Sequence, residues 1–183
     1  MSEAIRRIRA DEWQRVKDLR LEAVSDPDAD IAFLSSYEQT VAEADDFWMA
    51  RAEGAASGVS AAQFVAETAG DWVGTVTVLR RSSGSVDHHG RAVAAARGDV
   101  VGVYVRPAHR GTGTIDALLD AAAVWAAGLG DRFLTLDVHA DNARAQRAYE
   151  RCGFRPTGSR FTGSIGPELE MVRELPETER TRS

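Results

Sequence analysis

The chain has 183 residues, a formal net charge of −6 and 44% hydrophobic residues, which suits one domain with a proper core. That acidic balance argues against a nucleic-acid binder, which would show a basic face. No apolar run approaches the ~20 residues of a membrane span, the start Met-Ser-Glu-Ala-Ile-Arg-Arg lacks the apolar core of a signal peptide, and the single cysteine, Cys152, allows no internal disulfide, so a cytoplasmic protein is expected.

In chain order, residues Ala4 to Arg9 alternate imperfectly and read as an edge strand. Asp11 is an N-cap candidate for a helix running to about Ser25, with Trp13, Val16, Leu19, Leu21 and Val24 roughly on one face; Asp26-Pro27-Asp28 ends it. A second helix is expected from about Ser36 to Arg51, carrying Tyr37, Val41, Ala44, Phe47 and Trp48. Between Glu22 and Glu53 the chain is strongly acidic, with Arg51 as its one base. A solvated helix face explains this, and so does a field that draws a cationic amine toward a site through Asp28, Asp30, Asp45 and Asp46.

Gln63 to Glu67 and Trp72 to Leu79 are β-rich runs around Gly70-Asp71 and read as a hairpin. Arg81 to Gly98 turns to Ser, Gly, Ala and Arg, and a mobile loop is expected there. Its His88-His89 pair has no Cys, Asp or Glu ligand set repeating near it, so a solvated loop is expected rather than a metal site.

The next stretch organises the chain. Val100 to Val105 is apolar and β-branched, as in a buried strand, and Pro107 ends it. Arg110-Gly111-Thr112-Gly113 is too glycine-rich for helix, while Ile115, Leu118, Leu119, Ala122, Ala126 and Leu129 recur at helical spacing, so a helix starts near Thr112 to Thr114. Glycines just before a helix let the backbone approach a ligand, and the unpaired N–H groups of the first turn favour an anion such as a pyrophosphate. There is no Gly-Lys-Ser/Thr for a Walker loop, and the third glycine of a dinucleotide fingerprint is missing at Asp116.

Phe133 to Val138 makes a further strand. After it, Ala145, Ala148, Tyr149 and Cys152 lie at i, i+3, i+4 and i+7, one small, partly aromatic face of a short helix started by Asp141 or Asn142 and ended by Gly153. Arg155 to Thr162 and Glu168 to Leu175 read as two last strands, and Pro176 to Ser183 as a charged, disordered tail.

The glycine turn resembles the Arg/Gln-x-x-Gly-x-Gly/Ala signature of the GNAT superfamily of N-acetyltransferases: Arg110 and Gly113 match, and Ile115 stands where the family has a small residue. The later helix resembles the second GNAT signature, Asn-x-x-Ala-x-x-x-Tyr-x-x-x-Gly-Phe, and Asn142, Ala145, Tyr149, Gly153 and Phe154 match throughout. The resemblance implies an α/β fold with a twisted, predominantly antiparallel mixed sheet of six to seven strands and about four helices, one domain over residues 1–175. It implies acetyl-CoA as co-substrate, no metal, and a small-molecule or peptide amine as acceptor. Nucleic acid and membrane are not expected partners, and a homodimer follows from family habit alone.

Acetyl transfer from a thioester needs a positioned electrophile, a neutral amine, oxyanion stabilisation and a proton for the thiolate. By resemblance, backbone at Val103, Tyr104 and Val105 pairs with pantetheine, and the loop Arg110, Gly111, Thr112, Gly113, Thr114 and Ile115 holds the pyrophosphate. Asn142 contacts the pantetheine arm, and Tyr149 protonates the sulfur. Asp99 is expected as base, with Glu67, His139 or bound water as alternatives. Cys152 is expected in the core rather than as an acyl carrier, since a helix C-terminus does not activate a thiol. A non-catalytic acetyl-CoA sensor and transfer of a longer acyl group stay open.

Overall fold

The computed structural model describes residues 3–176, so all of the expected tail beyond Pro176 lies outside the described residues. Strand β1 (Ala4–Arg7) leads through a short 3-10 turn into α1 (Trp13–Ala23), then α2 (Tyr37–Ala42) and α3 (Asp45–Ser57). The hairpin β2 (Ala61–Thr68) and β3 (Asp71–Arg81) follows, then β4 (Arg97–Val105) and α4 (Thr114–Gly128). The chain continues with β5 (Phe133–His139), α5 (Ala143–Arg151), β6 (Arg155–Gly163) and β7 (Gly166–Glu174).

The strands form one seven-stranded sheet in the order β1-β2-β3-β4-β5-β7-β6, antiparallel except between β4 and β5. That parallel step follows from the crossover through α4. The α4 stripe Leu118, Leu119, Ala122 and Ala126 is fully buried and joins Val76, Val78, Leu134 and Met171 on one face of the sheet. On the other face α1 and α3 bury Val16, Leu19, Trp48 and Ala52 against Val65, Trp72 and Tyr104. The alternation along β2, Phe64 to one side and Val65 to the other, is the period-two pattern of a strand covered on both faces.

Three local expectations are corrected. Glu12, not Asp11, anchors the start of α1, because its buried carboxylate takes Arg6 at 2.7 Å, Arg9 at 2.9 Å and the Arg9 backbone N–H at 2.8 Å. The expected single helix from Ser36 to Arg51 is two: Ser36 and Gln39 close a capping box on α2, Glu43 and Ala44 turn extended, and Asp45 and Asp46 favour a fresh N-terminus. The break leaves Tyr37, Val41 and Phe47 exposed while Trp48 goes to the core. The β2–β3 turn centres on Ala69 and Gly70, both at positive φ, one residue earlier than expected.

The loop between β3 and β4 is packed, not free. Asp87 is buried and accepts the backbone N–H groups of His89 and Arg91 at 2.9 Å each; Val93 is buried, and Val86 bridges to Ala92. Burial disfavours the Asp87 anion, yet those N–H groups and the Arg91 guanidinium hold its carboxyl below the usual range.

Candidate active site

β4 and β5 pair only at Gly98 with Leu134 and Asp99 with Thr135. Beyond those residues the edge of β4 that faces β5 has no strand on it. Opposite, the β3 register passes from Thr75–Tyr104 to Thr77–Val101, so Val76 faces both Gly102 and Val103, and Gly102 takes φ 61°. This is a β-bulge, which twists the strand and re-aims its backbone groups. Where an interior strand should be buried, Val101, Gly102 and Val103 are only half-buried, because they line a cavity of about 630 Å³ opened by the splay.

The glycine turn closes one end of this cavity. Gly111 and Gly113 have φ of 77° and 92°, which a side chain would strain, and Gly113 is the N-cap of α4. The first turn of α4 therefore offers free N–H groups and the positive end of a 15-residue helix. Arg110, Gly111 and Ile115 line the cavity; Thr112 and Gly113 are exposed beside it, and the buried Thr114 hydroxyl donates to Glu3 at 2.7 Å instead. Arg110 is a staple: its Nε donates to the Val105 carbonyl at 2.9 Å and its Nη2 to Asp26 at 2.5 Å.

From the other wall, α5 contributes Asn142 and Tyr149. Asn142 is the N-cap, accepting the Ala145 N–H at 3.1 Å, and it lines the cavity together with Val103, Tyr104 and Val105. The Tyr149 ring packs edge-on against Phe154, and its hydroxyl has no hydrogen-bond partner among the described residues. Burial pushes the Tyr149 phenol well above its ordinary value, which keeps the proton on it. Arg144, Arg147 and Arg151 run down the same side of α5 and also line the cavity, a basic stripe readable in the sequence at i, i+3 and i+7.

The bases expected from sequence separate. Asp99 is buried outside the cavity wall, where it accepts Arg97 at 2.8 Å, Arg81 at 3.2 Å and the Thr135 hydroxyl at 2.8 Å. It closes the paired end of β4–β5 and faces no amine. Glu67 is likewise taken by Arg6 and Arg15, and Arg6 holds its carboxyl below the usual range. His139 does line the cavity, but its Nδ1 lone pair already accepts the Asp141 N–H at 3.1 Å and is not offered to an amine. Cys152 lies beside Asp116, and burial with that carboxylate pushes its thiol up to about 12, so it is inert packing.

In their place the packed β3–β4 loop brings His88 and His89 to the wall. His89 Nε2 lies 3.5 Å from Asp137 Oδ2 on β5 and 3.9 Å from Glu168 Oε1 on β7, and its ring stacks edge-on against Phe161. His89 Nε2, Asp137 Oδ1 and Glu168 Oε1 are all buried without a hydrogen-bond partner. Such groups are costly to leave unpaired, which marks the cluster as a place where something polar is handled. Burial pushes the Asp137 carboxyl up to about 6, although Arg91 bonds it at 2.6 Å and opposes the rise. His88, His89 and Asp137 also bring one ligand atom each within 4.8 Å of one another, a set that fits a metal ion except that Arg91 already occupies one Asp137 oxygen.

A sequence profile of the acetyltransferase (GNAT) family matches residues 5–154. The chain belongs to the GNAT family of acetyltransferases. It is an acyl-CoA-dependent N-acetyltransferase. An uncharacterized N-acetyltransferase of Mycobacterium tuberculosis is 37% identical over 112 residues, covering 55% of this GNAT chain and 71% of the relative. Among solved structures, PaiA N-acetyltransferase from Thermoplasma acidophilum in complex with coenzyme A superposes with a TM-score of 0.73 at 15% identity, covering 96% of this chain and 100% of that one. A phosphinothricin acetyltransferase from Sinorhizobium meliloti with acetyl-CoA gives 0.72 at 17% identity, covering 100% and 93%. These two share their fold with this enzyme, whose sheet is seven-stranded and mostly antiparallel; among the described residues the expected helix number rises from about four to five. No helix among the described residues is long and apolar enough to cross a membrane.

Proposed function

We propose that this enzyme moves an acetyl group from acetyl-CoA directly onto the amine of a small acceptor, with Tyr149 as acid and His89 as base. The observation that carries the reading is the unpaired, bulged edge of β4, opening onto one cavity together with the α4 turn and Tyr149. Pantetheine fits that edge as an added strand, since extended chains add to exposed sheet edges through backbone hydrogen bonds. The backbone from Val103 to Val105 orients the thioester and polarises its carbonyl. The α4 turn takes the pyrophosphate, Asn142 lies against the pantetheine arm, and Arg144, Arg147 and Arg151 supply positive charge for phosphate oxygens.

In the reaction, the amine nitrogen bonds to the acetyl carbon as the carbon–sulfur bond breaks. The amine proton passes to His89 Nε2, where Asp137 and Glu168 stabilise the imidazolium. Tyr149, kept protonated by burial, gives its proton to the departing thiolate. The reading takes residues 1–175 as one domain working in the cytoplasm, uses no metal, and leaves the homodimer as a family expectation.

The test is release of CoA thiol from acetyl-CoA across a panel of amines, amino acids, aminoglycosides and peptides, with His89→Gln and His89→Ala alongside. The expected result is turnover with one class of acceptor, lowered on the order of 10²-fold in both variants, as for loss of a general base. Acetyl-CoA binding with no release across the panel would favour a sensor, and release only from longer acyl-CoA would favour the longer group. Undiminished turnover in both variants would remove His89 as base.

A further inference from the structure

Arginines in this molecule meet carboxylates: Arg6 with Glu12, Arg80 with Asp131, Arg97 with Asp99, Arg106 with Glu22, Arg110 with Asp26 and Arg144 with Asp28. Four on the cavity wall do not: Arg147 and Arg151 of α5, which are exposed to water, and Arg20 and Arg51, which are half-buried. Arg20 on α1 donates only to the Ser35 hydroxyl at 2.8 Å and stacks 4.5 Å over Phe33. Arg51 on α3 has no hydrogen-bond or ion-pair partner among the described residues. Both line the main cavity, and both also wall a small pocket of about 20 Å³ where Gln63, Thr75, Thr77 and Gly102 meet the apolar Val16, Leu19, Ala23 and Trp48. Gln63 Oε1 there is buried without a partner.

Two guanidinium groups half-buried side by side are unfavourable. Burial lowers both below their ordinary values, Arg20 to about 10 with Arg51 adding to the effect, yet both stay charged at neutral pH. Removing charges from water without a counter-charge costs free energy that only an anion recovers. The coenzyme's phosphates are provided for elsewhere, at the α4 turn and the α5 arginines. Arg20 and Arg51 come from the helices on the other face of the sheet and sit beside Gly102, the bulge residue at the acyl end. Of the four acidic residues that suggested a cation-drawing field, two are already paired, Asp28 with Arg144 and Asp45 with Lys17.

We infer that Arg20 and Arg51 bind an oxyanion of the acceptor, so that the substrate is a small amine carrying a carboxylate or similar anionic group, an amino acid in the broad chemical sense. This rests on the acetyl-transfer reading above and adds its substrate class. The cavity is then divided by sign: the guanidinium pair takes the anion, the His89–Asp137–Glu168 cluster takes the amine, and a planar fork suits a carboxylate through two parallel hydrogen bonds. The balanced reaction is acetyl-CoA plus an amino carboxylate giving CoA thiol and the N-acetyl carboxylate, with no further co-reactant.

The experiment compares L-amino acids with their carboxamides as acceptors, in the wild-type enzyme and in Arg51→Met, Arg20→Met and Arg51→Lys. The expected result is a kcat/KM at least tenfold higher for acids than for carboxamides. Arg51→Met should lower only the acids, by 10–100-fold, with partial recovery in Arg51→Lys and an acetyl-CoA Kd within threefold of wild type. Carboxamides used as well as acids, or equal losses on both, would overturn the inference while leaving acetyl transfer standing. Calorimetry of N-acetyl-L-amino acids binding to the CoA-saturated protein gives a readout that needs no turnover. Binding that is lost in Arg51→Met upholds the anion site even if no amine releases CoA, an outcome in which acetyl transfer alone would fall. No binding, or binding indifferent to Arg51 and Arg20, overturns it.

Discussion

The two ends of β4 use glycine for opposite purposes. At the paired end a Cβ on Gly98 would lie 2.7 Å from Leu134 and 2.8 Å from Val78, so the position is glycine because neighbouring side chains fill the space. At the open end a Cβ on Gly102 would meet nothing closer than Thr77 Oγ1 at 3.9 Å, and glycine is needed there for a φ of 61° that forms the bulge. One end is closed by packing and by Asp99 with its two arginines; the other is held open, half-buried, and surrounded by polar groups without partners. The closed end carries stability, and the open end carries function at some expense of stability, as strained or unsatisfied groups at sites commonly do.

That contrast is broken or sharpened by four changes. Tyr149→Phe, at the open end, should lower kcat by about 10²–10⁴-fold while acetyl-CoA affinity stays within threefold, read by CoA-thiol release and by titration of the coenzyme. A variant with full turnover would leave Tyr149 a packing residue. Asp137→Asn probes the cost of the open end. A carboxyl raised in the folded state from 3.8 to about 6 contributes stability that is present below the unfolded value and lost as pH rises through about 6. The variant should therefore gain on wild type between pH 4 and pH 7.5, by up to about 3 kcal/mol, in urea unfolding compared across pH. A difference independent of pH would show that the Asp137 carboxyl keeps its ordinary acidity.

Gly98→Ala, at the closed end, should cost about 1–3 kcal/mol of unfolding free energy through overpacking, with turnover per folded molecule little changed. Loss of activity without loss of stability would dissolve the distinction between the ends. The smallest effect is outside both, at the β2–β3 turn. Ala69 has φ 52°, and Ala69→Asn should stabilise by about 0.5–1 kcal/mol, visible as a higher denaturation midpoint with no change in kinetics.

Much of this was legible in the sequence, because local signals decide it. The β-branched run Val100 to Val105, the glycines Gly111 and Gly113, the stripe of α4 and the signature from Asn142 to Phe154 each act within a few residues, and the structure brings Val103, Arg110, Asn142 and Tyr149 to one cavity. What was not legible depends on partners far along the chain. Asp99 reads as a free strand-end acid until Arg81 and Arg97 are seen on it. His88-His89 reads as solvated because Asp137 and Glu168, which meet them, arrive on β5 and β7. The loop's packing hangs on Asp87, whose backbone bonds leave no compositional trace. Arg51 did carry a signal: it is the one base in an acidic run, and a lone opposite charge there has a use in the fold.

The account turns on the open edge of β4 receiving the coenzyme as a strand would be received. Amide hydrogen exchange with and without acetyl-CoA measures this directly. The predicted result is slowed exchange at amides within Gly102–Val105 and at the first turn of α4, with the Arg97–Asp99 end unchanged because it is already paired. Acetyl-CoA binding that leaves Gly102–Val105 unprotected would contradict it.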